Sequence, residues 1–273
     1  MPGGESAGFL HDGAPYLKIG QGPPLVMVPG LTPEHDVPRD WQRQMALASA
    51  RPLARDFTVY VVNRKRGLKP GESMSDIAGH LASAIEHDLG QPVFLQGAST
   101  GGSVALQLAV DRPDLVRRLV VVSAAYRLGP RGRALQAELA RLIRAGEPRQ
   151  AWASAMTAML PGPLRAPARP LSRLVVGPIV PADPTDVLVT VDAEDVFDIE
   201  AGLPRVTAPT LVIGGSNDQF YPQELFQGTA AGVQDGRVHI FPGWGHLRAS
   251  GSTATSHLTL GFMLAGVPIR PGP

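Results

Sequence analysis

The sequence predicts an α/β fold: a mostly parallel central sheet with helices on both faces, interrupted by a helical insertion. Three observations carry that prediction. Short runs rich in Val, Ile and Leu end in Gly, Asn or Ser, as buried parallel strands do. Helical apolar patterns lie between these runs, and strands alternating with helices imply a parallel sheet with crossover connections. One stretch, from about Tyr126 to Pro204, breaks the rhythm.

Taken in order, Phe9–Leu10, an Asp12-Gly13 turn and Tyr16–Ile19 resemble an antiparallel hairpin at the sheet edge. Leu25–Val28, Phe57–Val62, Val93–Gln96 and Leu119–Val122 read as buried strands, and Thr210–Ile213 and Val238–Phe241 as two later ones. Ser75 to Leu89 sets Ile77, Leu81, Ala84 or Ile85 and Leu89 near helical spacing, and Thr100 to Val110 does so with Val104, Leu108 and the alanines. The irregular stretch holds helix-like segments at Arg133–Ala145 and Gln150–Met159, then a proline-rich run from Pro161 to Pro184. It reads as a helical cap, residues 126–204, inserted into a core made of 1–125 and 205–273. A helix from Thr255 to Leu264 closes the core, and the tail Pro268–Pro273 is expected to fray.

Composition bounds the function. With 44% hydrophobic and 18% charged residues the chain has enough apolar surface for a core. A formal charge of +1 leaves no field that would make nucleic acid or an anionic membrane the main partner, so a small molecule is expected. The absence of cysteine excludes disulfides, thiolate nucleophiles and Cys-based metal sites. The start Met1-Pro-Gly-Gly-Glu-Ser-Ala-Gly lacks the basic and apolar regions of a signal peptide, and no long apolar run suggests a membrane span. A cytoplasmic protein, monomer or homodimer, is the expectation.

The most informative segment is Val93 to Ala98, followed at once by Ser99-Thr100-Gly101 and a helix. A Gly-x-Ser-x-Gly turn between strand and helix is so tight that the residues two before and two after the serine must be small, and it lifts the serine above the carboxyl edge of the sheet. Ser99 is therefore the candidate nucleophile. A phosphate-binding loop is the competing reading, but neither Gly-Lys-Ser/Thr nor G-x-G-x-x-G spacing is present.

A serine hydroxyl needs a base, and the base an orienting acid. Of seven histidines, His246 lies in Phe241-Pro-Gly-Trp-Gly-His just past the sixth apolar run, at the edge where Ser99 sits. Asp218 ends the turn after Thr210–Ile213 at that same edge, where open α/β sheets collect their ligands. Asp195 and Asp198 are reserve acids. The N–H groups of Leu31 and Thr100 are candidate donors to an oxyanion. Thr32, His35, Trp152 and Met156 are candidate substrate-pocket residues, and no metal or other cofactor is called for.

Four motifs in order then resemble the α/β-hydrolase superfamily. They are Gly20-Gln-Gly-Pro-Pro-Leu-Val-Met-Val-Pro-Gly, Gly97-Ala98-Ser99-Thr100-Gly101-Gly102, Ala208 to Asp218 and Gly243-Trp-Gly-His246. The resemblance implies the α/β-hydrolase fold and a Ser99–His246–Asp218 triad. It implies a hydrolase that acts on a carboxylic ester or lactone through an acyl-enzyme. Carbon–carbon bond hydrolases, haloperoxidase-like esterases and ligand-binding or signalling members share the fold, and motifs alone leave them open. The chain departs from the family where Pro29-Gly30 replaces the usual His-Gly, and where Asn63-Arg-Lys-Arg-Gly67-Leu-Lys replaces Asp-x-Arg-Gly-x-Gly.

Overall fold

The structure is a computed structural model that describes residues 4–160, 180–181 and 183–265. The tail Pro268–Pro273 and nearly all of the proline-rich run from Pro161 to Pro184 lie outside the described residues. In chain order the elements are β1 (Ser6–Phe9), β2 (Pro15–Ile19), β3 (Pro24–Val28), α1 (Asp40–Ala50), β4 (Thr58–Val62), α2 (Met74–Ala84), β5 (Val93–Ala98), α3 (Thr100–Asp111) and β6 (Val116–Val122). Then come α4 (Pro130–Arg144), α5 (Pro148–Met159), α6 (Thr185–Asp195), β7 (Thr210–Gly215), α7 (Gln223–Gly232), β8 (Gly236–Phe241), α8 (His246–Gly251) and α9 (Thr253–Leu264).

The strands form one sheet in the order β1-β2-β4-β3-β5-β6-β7-β8. The expected edge hairpin is there: β1 pairs antiparallel with β2, which continues antiparallel onto β4. Every pair from β4 through β3 to β8 is parallel. Because β3 lies between β4 and β5, the chain leaves it towards one side and later returns on the other. A crevice opens at such a switch point, beyond the carboxyl ends of the strands. Register matches Val28 of β3 to Gly97 of β5, so both chain segments reach that crevice together.

Strands buried on both faces explain the unbroken apolar runs. In β3, Val26 and Val28 join the core under α2 and α3, while Leu25 and Met27 join the opposite core with Leu47 of α1 and Phe262 of α9. The strand read at Val238–Phe241 differs from that picture. As the edge strand β8 it is largely exposed, and it carries Arg237 and His239, polar residues suited to an unpaired edge.

Between β6 and β7, α4, α5 and α6 build a small core of their own from Leu139, Leu142, Ile143, Ala151, Trp152, Val187 and Val191. Helix α6 also sends Val189 and Ala193 into the main core. It is thus apolar on two sides and lacks the one-sided stripe by which amphipathic helices are read. Sequence reading passed over it for that reason, and over α1, whose Trp41 and Met45 face solvent.

Candidate active site

The site begins with backbone strain. Ser99 has φ 52° and ψ −130°, a conformation L-residues avoid, held by its N–H to the Val122 carbonyl at 2.9 Å and by the onset of α3. Gly97 and Gly101 make the turn possible. A Cβ on Gly97 would come within 2.2 Å of the Gly101 carbonyl oxygen, and one on Gly101 within 2.2 Å of the Val28 carbonyl oxygen. Only absent side chains let β3, β5 and α3 approach so closely.

His246 and Asp218 converge on this serine. His246 Nε2 lies 3.0 Å from Ser99 Oγ, and His246 Nδ1 lies 2.9 Å from Asp218 Oδ2. The carboxylate is aimed by two further donors, the N–H groups of Phe220 at 2.8 Å and Tyr221 at 3.2 Å. A carboxylate only accepts, so Nδ1 carries the proton and Nε2 offers its lone pair to the serine hydroxyl. Burial and ring contacts hold the imidazole. It is 3% exposed, with the Phe220 ring at 4.7 Å and the Tyr221 ring nearly parallel at 6.2 Å. The loop before it is braced by Trp244, stacked on Phe241 at 3.9 Å and covered by the Arg248 guanidinium at 4.3 Å.

The loop after β3 lies over the serine: a Cβ on Gly30 would meet Ser99 Cβ at 3.2 Å. Thr100 opens α3, and the first N–H groups of a helix have no partner within it. Leu31 follows Gly30 in the overlying loop, and its side chain packs against the small core of α4, α5 and α6.

Arg64, which sequence reading did not single out, organises this loop from beneath. Its guanidinium donates to the Pro29 carbonyl at 3.2 Å, the Gly30 carbonyl at 3.0 Å, Thr32 Oγ1 at 3.3 Å and His35 Nε2 at 3.1 Å. Burial draws the guanidinium down to about 10, against the pull of Glu194 and Asp186, which raise it. It therefore stays charged near neutrality. Asn63 adds bonds to Thr32 Oγ1 and the Glu34 carbonyl. The departure from Asp-x-Arg-Gly-x-Gly thus keeps a polar network, rebuilt around a cation.

The expected pocket residues divide. His35 is 3% exposed, and its ring nitrogens are engaged by Arg64 and, at 3.0 Å, by the Lys65 carbonyl. Burial and the Arg64 charge push its pKa down to about 3, so it is a neutral strut with Nδ1 donating and Nε2 accepting. The Thr32 hydroxyl is likewise spent inside the loop, donating to the Glu34 carbonyl. Trp152 is buried in the small core of α4, α5 and α6, whereas Met156 is 39% exposed. The reserve acids stand apart in surface ion pairs, Asp195 with Arg133 and Asp198 with Arg127.

Sequence reading also passed over Glu194, a fully buried carboxylate on α6 beside the elbow. It sits in the acid-rich run Asp192 to Asp198, where nothing local marks one carboxylate as buried. Among the described residues no group of three or more His, Asp or Glu could hold a metal ion, and no helix is long and apolar enough to cross a membrane.

Comparison with known proteins places the chain in a family. Residues 25–252 match the sequence profile of the "Alpha/beta hydrolase family". A protein of Variovorax paradoxus named "Putative carbamate hydrolase RutD" is 30% identical over 212 residues, 73% of this chain and 76% of that protein. Among solved structures, the carboxylesterase CesB of Bacillus subtilis superposes with a TM-score of 0.71 at 19% identity, covering 97% of this chain and 93% of that one. The enol-lactonase of Burkholderia xenovorans gives 0.73 at 16% identity, covering 94% and 99%. At these identities the two structures share the fold with this chain.

Proposed function

From the premise that the chain belongs to the alpha/beta hydrolase family and is a hydrolase enzyme of that fold, we propose that it is a serine hydrolase that cleaves a carboxylic ester or lactone of a small, largely apolar molecule. The observation that carries the reading is the hydrogen-bonded series from Ser99 through His246 to Asp218, at 3.0 and 2.9 Å. Ser99 Oγ attacks the carbonyl carbon while His246 Nε2 takes its proton, and Asp218 steadies the imidazolium that forms. The oxygen that becomes negative is met by the N–H groups of Leu31 and Thr100. His246 passes the proton to the leaving alcohol, then draws one from water to release the acid and restore Ser99. The reaction balances as ester plus water giving acid plus alcohol, with no cofactor.

The helices α4 to α6 act as the cap over this site. Leu31, which carries one of the proposed donors, packs its side chain against the apolar core of these helices, and that apolar neighbourhood favours a hydrophobic acyl or ring group. A carbamate is the second substrate class to try, because the Variovorax paradoxus relative is named for that activity and the same attack on a carbonyl serves it.

The test is hydrolysis of p-nitrophenyl butyrate by the wild type and by Ser99→Ala, with circular dichroism to show that the variant is folded. Loss of the nucleophile lowers kcat by ~10⁴-fold or more. Turnover by the folded variant at a rate near that of the wild type rejects Ser99 as nucleophile.

A further inference from the structure

The carboxylate of Glu194 is wholly buried, a costly position unless every lone pair is used. It is used. Glu194 accepts from Thr100 Oγ1 at 2.8 Å, Ser103 Oγ at 2.7 Å, Gln136 Nε2 at 2.8 Å and Tyr221 Oη at 3.4 Å. Burial and the neighbouring Glu194 charge push the Tyr221 phenol well above its usual range, so it remains a donor. These donors come from the first turn of α3, from α4 and from the turn after β7 that aims Asp218. Apolar side chains of similar volume would fill such a seam at lower desolvation cost, so a charge kept there points to a demand for geometry.

Near the other end of α6, about 12 Å along the helix axis at 1.5 Å per residue, Asp186 does the same for a second loop. Its carboxylate accepts the N–H groups of Leu68 at 2.8 Å and Gly67 at 3.2 Å, in the loop that begins with Arg64. Arg64 in turn grips the Pro29 and Gly30 carbonyls. One helix between β6 and β7 therefore bonds directly to the chain segment of Thr100 and, through the loop of Gly67 and Leu68 and then Arg64, reaches the segment of Leu31.

We propose that α6 sets the geometry of that oxyanion site through two positioning residues, Glu194, which fixes the first turn of α3 under Thr100, and Asp186, which fixes the loop of Arg64 under Leu31. The inference rests on the serine-hydrolase reading and deepens it. The inserted segment then supplies more than a cover: its docking assembles the donors. Neither residue touches substrate, so both act on the chemical step and leave ground-state binding alone.

The experiment compares the full-length wild type with Glu194→Ala, Glu194→Gln and Asp186→Asn, using a fluorophosphonate that phosphonylates an activated serine and places negative charge on its phosphoryl oxygen. The readouts are the saturating rate of phosphonylation, its half-saturation concentration and, per labelled serine, kcat and KM for p-nitrophenyl butyrate. Glu194→Ala lowers the saturating rate about 30-fold, less than the loss of a whole oxyanion donor, at unchanged half-saturation. Glu194→Gln, which still accepts hydroxyl donors, recovers most of that loss, and Asp186→Asn falls between them. If Glu194→Ala does not fold, Thr100→Val carries the test, since it removes one hydroxyl bond and keeps the backbone N–H; its saturating rate falls about fivefold, the size of one ordinary hydrogen bond. Saturating rates within twofold of wild type, or losses confined to half-saturation, overturn the proposal while leaving Ser99 as nucleophile. A wild type that is not labelled at Ser99 overturns the serine-hydrolase reading and this inference with it.

Discussion

His35 makes stability depend on pH in a way that can be isolated. In the folded protein its pKa is about 3, and in the unfolded chain it returns to 6.5. Below pH 6.5 the unfolded chain therefore binds a proton that the folded protein refuses, and stability falls as pH falls. The loss continues until the folded imidazole itself titrates near pH 3. At pH 4.5 two units of that gap have been crossed, which at about 1.36 kcal/mol per unit removes ~2.7 kcal/mol relative to neutral pH. The figure is insensitive to the exact folded value, because pH 4.5 lies well above it. His35→Gln removes the titration and keeps an oxygen able to accept from Arg64. The assay is urea unfolding of both proteins at pH 7.5, 6.5, 5.5 and 4.5. Carboxylates remote from position 35 contribute equally to the two curves, and repeating the comparison in an Asp186→Asn background removes the carboxylate that lies 3.9 Å from His35 Nδ1, so the difference of differences reports His35. Wild type should lose ~2.7 kcal/mol more than the variant between the extremes. Parallel curves would refute the buried neutral histidine.

Two further outcomes follow from the site geometry. Gly97→Ala drives a Cβ to 2.2 Å from the Gly101 carbonyl and 2.6 Å from Gly102 Cα, both backbone, so the turn must open. A loss of about 3 kcal/mol or more is expected, together with activity, and is read by urea unfolding. Asp218→Asn keeps an oxygen for the Phe220 and Tyr221 N–H groups but presents no anion to His246. The fold should persist while kcat drops ~10⁴-fold, as for loss of the orienting acid in other triads; a loss below tenfold would deny Asp218 that place.

Much of this molecule was legible in one dimension because its signals are local. A buried parallel strand must be apolar on both faces, so the runs at Leu25, Val93 and Leu119 show themselves without knowledge of their neighbours. The elbow is legible for the same reason: a tight strand-to-helix turn restricts the residues on either side of the serine, and Gly97 and Gly101 meet that restriction within a few positions. The chain positions of His246 and Asp218, each just past a strand, were enough to bring them to one edge of the sheet.

What tertiary structure alone decided is the electrostatic support beneath those residues. Arg64, His35 and Glu194 are polar side chains whose meaning depends on burial and on partners up to 94 residues away. In sequence His35 looks like a histidine free to meet substrate; packed against Arg64 it is a neutral acceptor inside a loop. Glu194 looks like one acid in a solvated run, yet the second apolar side of α6 turns it inward onto four donors. Hydropathy patterns record which faces are apolar, and they determined the buried strands and the helices with one apolar face, while the turn glycines located the serine. Burial of a charge is a property of the assembled layers, since it depends on donors contributed by distant segments, and so only the folded chain decides which charges hold the site in place.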